Sequence, residues 1–224
     1  MKHFFLLNLL LISFLTYSQE RPGLYLLTGL VNSNLNSSAV EAKNSDIGYI
    51  AGVGWILGYS ERLSWQVEIG YYDAPVSLKA NDDQFYKYNF GNVQSGAYLT
   101  YNVIMPDENK FYFGPQLGLN FNFGKFSSQD SNYSGSKLFL PSGVDEMSLH
   151  DNVSVLHTNL VLGLNATYNR FKLNLRYAIG FNNVFKEVTT RNNNNEFGSP
   201  SGNTIDRGTL NTISLIVSYK LSRF

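Results

Sequence analysis

The sequence predicts an all-β fold, an eight-stranded antiparallel up-and-down transmembrane β-barrel, and three observations predict it. Apolar side chains recur with a period of two along eight segments. The connections between those segments alternate long and short. Charged residues are absent from one strand parity and sparse on the other. The composition agrees. The 224 residues are 43% hydrophobic and 15% aromatic, and only 15% are charged, well below the ~25% of an ordinary soluble domain. Seventeen basic residues balance seventeen acidic ones, so the basic excess that phosphate binding needs is missing and a general nucleic-acid binder is excluded. There is no cysteine, hence no disulfide framework, zinc knuckle or thiol nucleophile.

No segment after the N-terminal stretch carries a 3.6-residue apolar stripe; alternation recurs instead. The first strand, Leu24 to Leu35, is apolar on both parities at its start. Placing Leu24, Leu26, Thr28 and Leu30 outward leaves Gly29 inward. In Ile47 to Tyr59, one parity reads Ile47, Tyr49, Ala51, Val53, Trp55, Leu57, Tyr59, and the other is rich in glycine, with Gly48, Gly52, Gly54 and Gly58. No helix follows those glycines, so they are not a nucleotide loop. They fit the relief of crowding inside a narrow barrel.

Leu63 to Tyr72 sets Leu63, Trp65, Val67, Ile69 and Tyr71 against Ser64, Gln66, Glu68, Gly70 and Tyr72. Asn92 to Val103 follows, with Phe85–Gly91 as its outward extension. Phe111 to Phe121, Thr158 to Tyr168, Phe171 to Phe181 and a final strand of Thr212 to Leu221 repeat the pattern. Successive side chains of a strand point to opposite faces, so each segment has one bulky apolar face and one small or polar face.

The connections place the ends. Asn36–Ser45, Asp73–Gln84, Lys125–Asn152 and Asn183–Gly208 are long; Ser60–Arg62, Pro106–Asn109 and Asn169–Arg170 are short. Transmembrane barrels have short periplasmic turns and long extracellular loops, and an even strand number returns both termini to the periplasm.

Charge decides which face meets lipid. The apolar parity contains no Asp, Glu, Lys or Arg, and the other holds only Glu68, Lys172, Arg176 and Lys220. A water-facing surface that poor in charge would be unusual, whereas Lys or Arg facing lipid at the midplane costs ~2–4 kcal/mol. Aromatics on the apolar parity, among them Tyr49, Trp65, Tyr101, Tyr168, Phe171 and Tyr219, lie near strand ends, where interfacial girdles belong.

Residues 1–18 read as a secretory signal peptide, leaving 19–224 as the barrel domain. Lys2 supplies the positive start, Phe4 to Leu15 is apolar, and Thr16-Tyr17-Ser18 precedes Gln19. Twelve residues are too few for a membrane-spanning helix, which takes about 20.

Among candidate site residues, Glu68 and Arg176 stand out. Each lies about six residues from a periplasmic turn, on the third and seventh strands. Those strands form opposite walls of an eight-stranded barrel, whose bore side chains can just fill. The two residues are expected to meet across the lumen, with Gln116, Lys172 and Asn174 nearby. A gate or proton path is one reading. A structural plug of paired charges is the plainer and favoured one, since buried charges need partners.

His150 lies in a long loop with Asp145, Ser148 and Asp151, residue types that any polar loop contains, with no spacing that fixes a catalytic geometry. His157, near the outer end of the inward parity, has no second His beside it and reads as a hydrogen-bonding filler, not a metal ligand. Asn192–Asn195 reads as a surface loop. No pattern requires a cofactor or a metal.

Three strands carry a resemblance to a known family. Gln66-Val67-Glu68 forms a QxE strand, Gly114-Pro115-Gln116-Leu117-Gly118 a GPxxG strand, and Arg176-Tyr177-Ala178-Ile179-Gly180-Phe181-Asn182-Asn183 an RYxxGxxN strand. In that order they resemble the PorT-like outer-membrane β-barrel family. The resemblance implies an eight-stranded outer-membrane barrel, and for the family's namesake a link to protein secretion.

The expectation is a compact non-enzymatic protein of the bacterial outer membrane, structural or accessory, acting through its extracellular loops or outer wall. Its surroundings are outer-membrane lipid, with other envelope proteins as candidate partners, and no nucleic acid or metal. Two alternatives stand beside it: a rim-located lipid-modifying enzyme, and a soluble exported barrel that binds a small apolar ligand.

Overall fold

Alternation of bulky and small residues gives strands, and in the computed structural model eight of them form the wall. They are β1 (Gly23–Ser37), β2 (Ile47–Tyr59), β3 (Leu63–Lys79), β4 (Phe85–Tyr101), β5 (Phe111–Ser128), β6 (Leu156–Tyr168), β7 (Phe171–Gly180) and β8 (Gly208–Lys220). The described residues are 23–37, 40–43, 47–59, 62–104, 111–128, 138–140, 144–145, 153–185 and 208–221. The proposed export signal, His150, Ser148, Asp151 and Asn192–Asn195 lie outside them, as does the side chain of Asp145.

Every strand pairs antiparallel with the next, and β8 pairs with β1 from Tyr25↔Lys220 to Ser37↔Gly208, which closes the barrel. Closure removes the unpaired strand edge that could not exist in hydrocarbon. The β6–β7 hairpin turns on two residues, and Asn169 adopts a left-handed backbone with φ of 56°, which Asn tolerates better than most residues. β2 shifts register against β3 between Ile56 and Gly58, a local bulge that bends the strand.

The facing is inside-out relative to a soluble barrel. Trp65 and Leu175 are 51% and 48% exposed on the outer wall, while Glu68 and Arg176 are 7% and 3% exposed in the lumen. β1 follows the same rule, with Leu26, Thr28 and Leu30 outward and Tyr25, Leu27 and Val31 inward. An apolar belt that continuous far exceeds the patches a soluble protein shows to water. It rules out a soluble exported barrel.

The extracellular half departs from expectation. The sequence predicts a long loop over Asp73–Gln84. Instead β3 and β4 run paired from Leu63↔Tyr101 up to Lys79↔Phe85, and only a tight turn joins them. β5 likewise continues to Ser128, and β8 begins at Gly208. Asp73 and Pro75 interrupt the outward apolar parity and so conceal the strand. The inward parity continues through Ala74, Val76 and Leu78, all fully buried.

These side chains join Leu35, Tyr88, Phe90, Phe139, Phe185 and Leu210 in an apolar cap inside the upper barrel. Tyr88 meets Phe139 edge to face at 5.5 Å between ring centroids. Loop segments add short pairings on top. Ala42 and Lys43 pair with Leu78 and Ser77, Ala80 bridges Phe139, and Val153 bridges Phe185. At the rim, Lys79 lies 3.3 Å from Asp83 and 3.6 Å from Glu41. The Asp83 hydrogen bond and the nearby Glu41 carboxylate raise the Lys79 ammonium above its ordinary range.

Candidate functional site: the polar layer of the lumen

Period-two alternation delivers one inward side chain every second residue, and the closed wall brings opposite strands within reach. β3 supplies Gln66 and Glu68, β7 supplies Lys172, Asn174 and Arg176, β5 supplies Gln116, β1 supplies Tyr25 and β4 supplies Tyr98 and Thr100.

Arg176 spans the bore. Its Nη1 donates to Glu68 Oε2 at 2.6 Å and its Nη2 to Glu68 Oε1 at 2.7 Å. This is the two-pronged guanidinium–carboxylate geometry in which both partners are pre-shaped for each other. The third donor, Nε, reaches Gln116 Oε1 at 2.7 Å, and Gln116 Nε2 in turn donates to Thr100 Oγ1 at 3.1 Å. Tyr25 Oη donates to Glu68 Oε1 at 2.7 Å. The face of the Tyr98 ring lies 3.9 Å from the Arg176 guanidinium carbon, a cation–π contact strengthened by exclusion of water. Tyr98 Oη is itself anchored by donating to Asn120.

Lys172 donates to Gln66 and lies 5.4 Å from the Tyr25 ring. Asn174 sits lower in the layer. Its Oδ1 accepts from Asn165 Nδ2 at 2.7 Å and is not engaged by the Arg176–Glu68 pair. Of the five residues singled out in the sequence, Glu68, Gln116 and Arg176 therefore form one bonded unit. Lys172 approaches it through the Tyr25 ring while donating to Gln66, and Asn174 belongs to an adjoining amide pair.

Sequence reasoning missed Tyr25, Tyr98, Gln66 and Thr100 as members. A signal for the two tyrosines was present. Each faces a glycine across the ladder, Tyr25 opposite Gly54 and Tyr98 opposite Gly118. A β-carbon on Gly54 would lie 2.2 Å from the Tyr25 ring, and one on Gly118 would lie 2.4 Å from the Tyr98 ring. The glycines seat the rings against the wall, which lets them lie beside the ion pair without blocking it.

Above this layer His157 is buried, with its ring edge-on to Phe90 at 6.2 Å. Among the described residues no group of three or more His, Asp or Glu could hold a metal ion.

The three motif-bearing strands meet here. QxE contributes Gln66 and Glu68, GPxxG contributes Gln116, and RYxxGxxN contributes Arg176. The last motif also contributes asparagines that complete the upper ladder. Asn182 Oδ1 accepts from Thr158 N at 2.7 Å, and Asn183 Oδ1 accepts from Gly208 N at 2.7 Å.

Comparison with known proteins gives the family. No curated protein matches the chain. Among solved structures, it is similar to the outer membrane protein OprG from Pseudomonas aeruginosa, with 12% identity and a TM-score of 0.47 over 90% of this chain and 97% of that one. It is also similar to Ail, the attachment invasion locus protein of Yersinia pestis (13% identity, TM-score 0.42, 91% of this chain and 100% of that one). Neisserial surface protein A is a third similar structure (15% identity, TM-score 0.40, 90% of this chain and 100% of that one). A family model described as an outer membrane protein beta-barrel domain matches residues 18–186. With its closed eight-stranded wall and lipid-facing apolar belt, the chain belongs to that outer-membrane β-barrel family, and it is a protein of the bacterial outer membrane.

Proposed function

We propose that this protein is a closed, non-enzymatic barrel that serves the outer membrane as a structural or accessory subunit, acting through its extracellular loops or outer wall. The observation that carries the reading is the Arg176–Glu68 pair laid across the bore, with Gln116, Tyr25 and Tyr98 locked around it. Two buried opposite charges with their hydrogen bonds satisfied fill space and hold walls together; they offer neither a nucleophile nor a free base. With the lumen so filled, the surfaces left for a partner are the loops and the wall. We assign the chain to the PorT-like barrels on its three motifs, which supports a subunit role connected with secretion. Residues 1–18 are assigned to export, with the N-terminus of the exported protein at Gln19.

Purified protein in a planar bilayer tests the closed lumen. No steady large conductance is expected, and a persistent open level would overturn the proposal. Affinity purification of the intact protein from its native envelope tests the subunit role. Recovery with an envelope protein in fixed stoichiometry is expected, and recovery alone under mild detergent counts against it.

A further inference from the structure

The outer wall carries a hollow at its periplasmic end. It measures about 180 Å³ and is almost wholly apolar, with Ala166 beside Phe111, Tyr168, Phe171, Leu173 and Val217. Its origin is one small residue. β6 presents Leu162, Leu164, Ala166 and Tyr168 outward, and Ala166 lies between Leu173 of β7 and Phe113 of β5. An alanine among larger neighbours leaves a dent, and the rings one step below it frame its lower end. Phe171 forms one side and packs against Tyr219 just beyond it, the two ring centroids 5.2 Å apart.

Directly beneath, the two-residue turn Asn169–Arg170 joins Tyr168 to Phe171, and Arg170 Nη1 donates to Tyr219 Oη at 3.5 Å. A guanidinium is thus held in the turn between Tyr168 and Phe171, one ring beyond the apolar hollow and at the periplasmic end of the belt. The hollow is continuous with the lipid-facing belt.

We propose that this hollow and Arg170 form a binding site for one anionic phospholipid of the periplasmic leaflet, an acyl chain lying over Ala166 and the headgroup phosphate on the Arg170 guanidinium. Charge complementarity names the headgroup, since Arg presents a planar fork of donors suited to phosphate oxygens. The shape and polarity of the hollow name the chain. The turn between β2 and β3, at the same periplasmic end, provides an internal control. Arg62 Nη1 donates to Tyr101 Oη at 3.3 Å, an arginine–tyrosine pair of the same kind, but in a turn remote from this hollow.

The test is native mass spectrometry of the whole protein released from detergent micelles containing phosphatidylglycerol, with folding verified by the heat-dependent shift in gel mobility. The wild type is expected to retain one phosphatidylglycerol in preference to phosphatidylethanolamine. Ala166→Phe, which fills the hollow, should reduce retention about tenfold, and Arg170→Ala about fivefold, the equivalent of the ~1 kcal/mol that one basic residue contributes to headgroup attraction. Arg62→Ala should leave retention unchanged. Ala166→Leu is the milder filling variant should the Phe form fail to fold. Undiminished retention in either filling variant would overturn the proposal. So would equal loss in Arg62→Ala, which would mean a diffuse rim charge and no site.

Discussion

Glu68 and Arg176 show how one residue's position on a strand sets its energetics. Each is buried and each is neutralised by the other. Removing one leaves the other charged in a dry bore, and breaking a buried pair in this way costs ~3–5 kcal/mol. Glu68→Ala should therefore lower the urea midpoint of the barrel in detergent, followed by tryptophan fluorescence. Replacing both partners, Glu68→Leu with Arg176→Met, should recover most of the loss, because an apolar pair of similar volume needs no compensating charge. Equal destabilisation by the single and double variants would contradict this. The inward facing of both residues was legible in the sequence, since a period of two admits one facing and lipid penalises the other. Tyr25 is not legible as a member of the cluster, because β1 is apolar on both parities near its start. Tyr98 shares the parity of Gln94 and Gly96, but its stacking on Arg176 depends on a cross-strand glycine contributed by β5.

At the scale of the element, the strands succeed where one face meets lipid throughout their length. Leu175, near the middle of β7, is outward and exposed. Leu175→Arg should destabilise the barrel by ~2–4 kcal/mol in equilibrium unfolding from lipid vesicles. Leu221→Arg, just past the end of β8 at the periplasmic end, should cost little, within ~0–1 kcal/mol for an interfacial position. Similar losses at both positions would mean that the outer wall is not graded by membrane depth. The upper part of β3 illustrates the opposite case. Above Tyr72 both parities of the strand become buried. Ser33 Oγ donates to Pro75 O at 2.6 Å, and Ala42 and Lys43 pair alongside. Where Ala42–Lys43 pair beside β3 and both of its parities lose exposure, the contrast between faces disappears, and with it the pattern that identifies a strand. A segment with Asp73 and Pro75 then reads as a loop although its backbone is fully paired with β4.

For the whole molecule, the lumen is crossed at two heights by two chemistries. The periplasmic half holds the ion pair and its amides, and the extracellular half holds the apolar cap. The apolar cap is expected to seal the bore without the polar layer. Glu68→Ala with Arg176→Ala should therefore leave bilayer conductance at the wild-type level. Adding Phe90→Ala and Phe139→Ala, which thins the cap, should raise it. A conductance that rises with the first pair alone would show that the cap does not seal.

The sequence by itself determined the class of the fold, the membrane it occupies, the number of strands and the facing of the strands whose two parities differ. All of these follow from a single local contrast, apolar against small or polar every second residue, set against a solvent that changes from water to hydrocarbon. The tertiary structure alone decided the upper hairpin, the apolar cap, the tyrosines around Arg176 and the hollow over Ala166. Each of these depends on side chains from strands and loops distant in the chain, and barrel closure, a property of all eight strands together, brings them into contact.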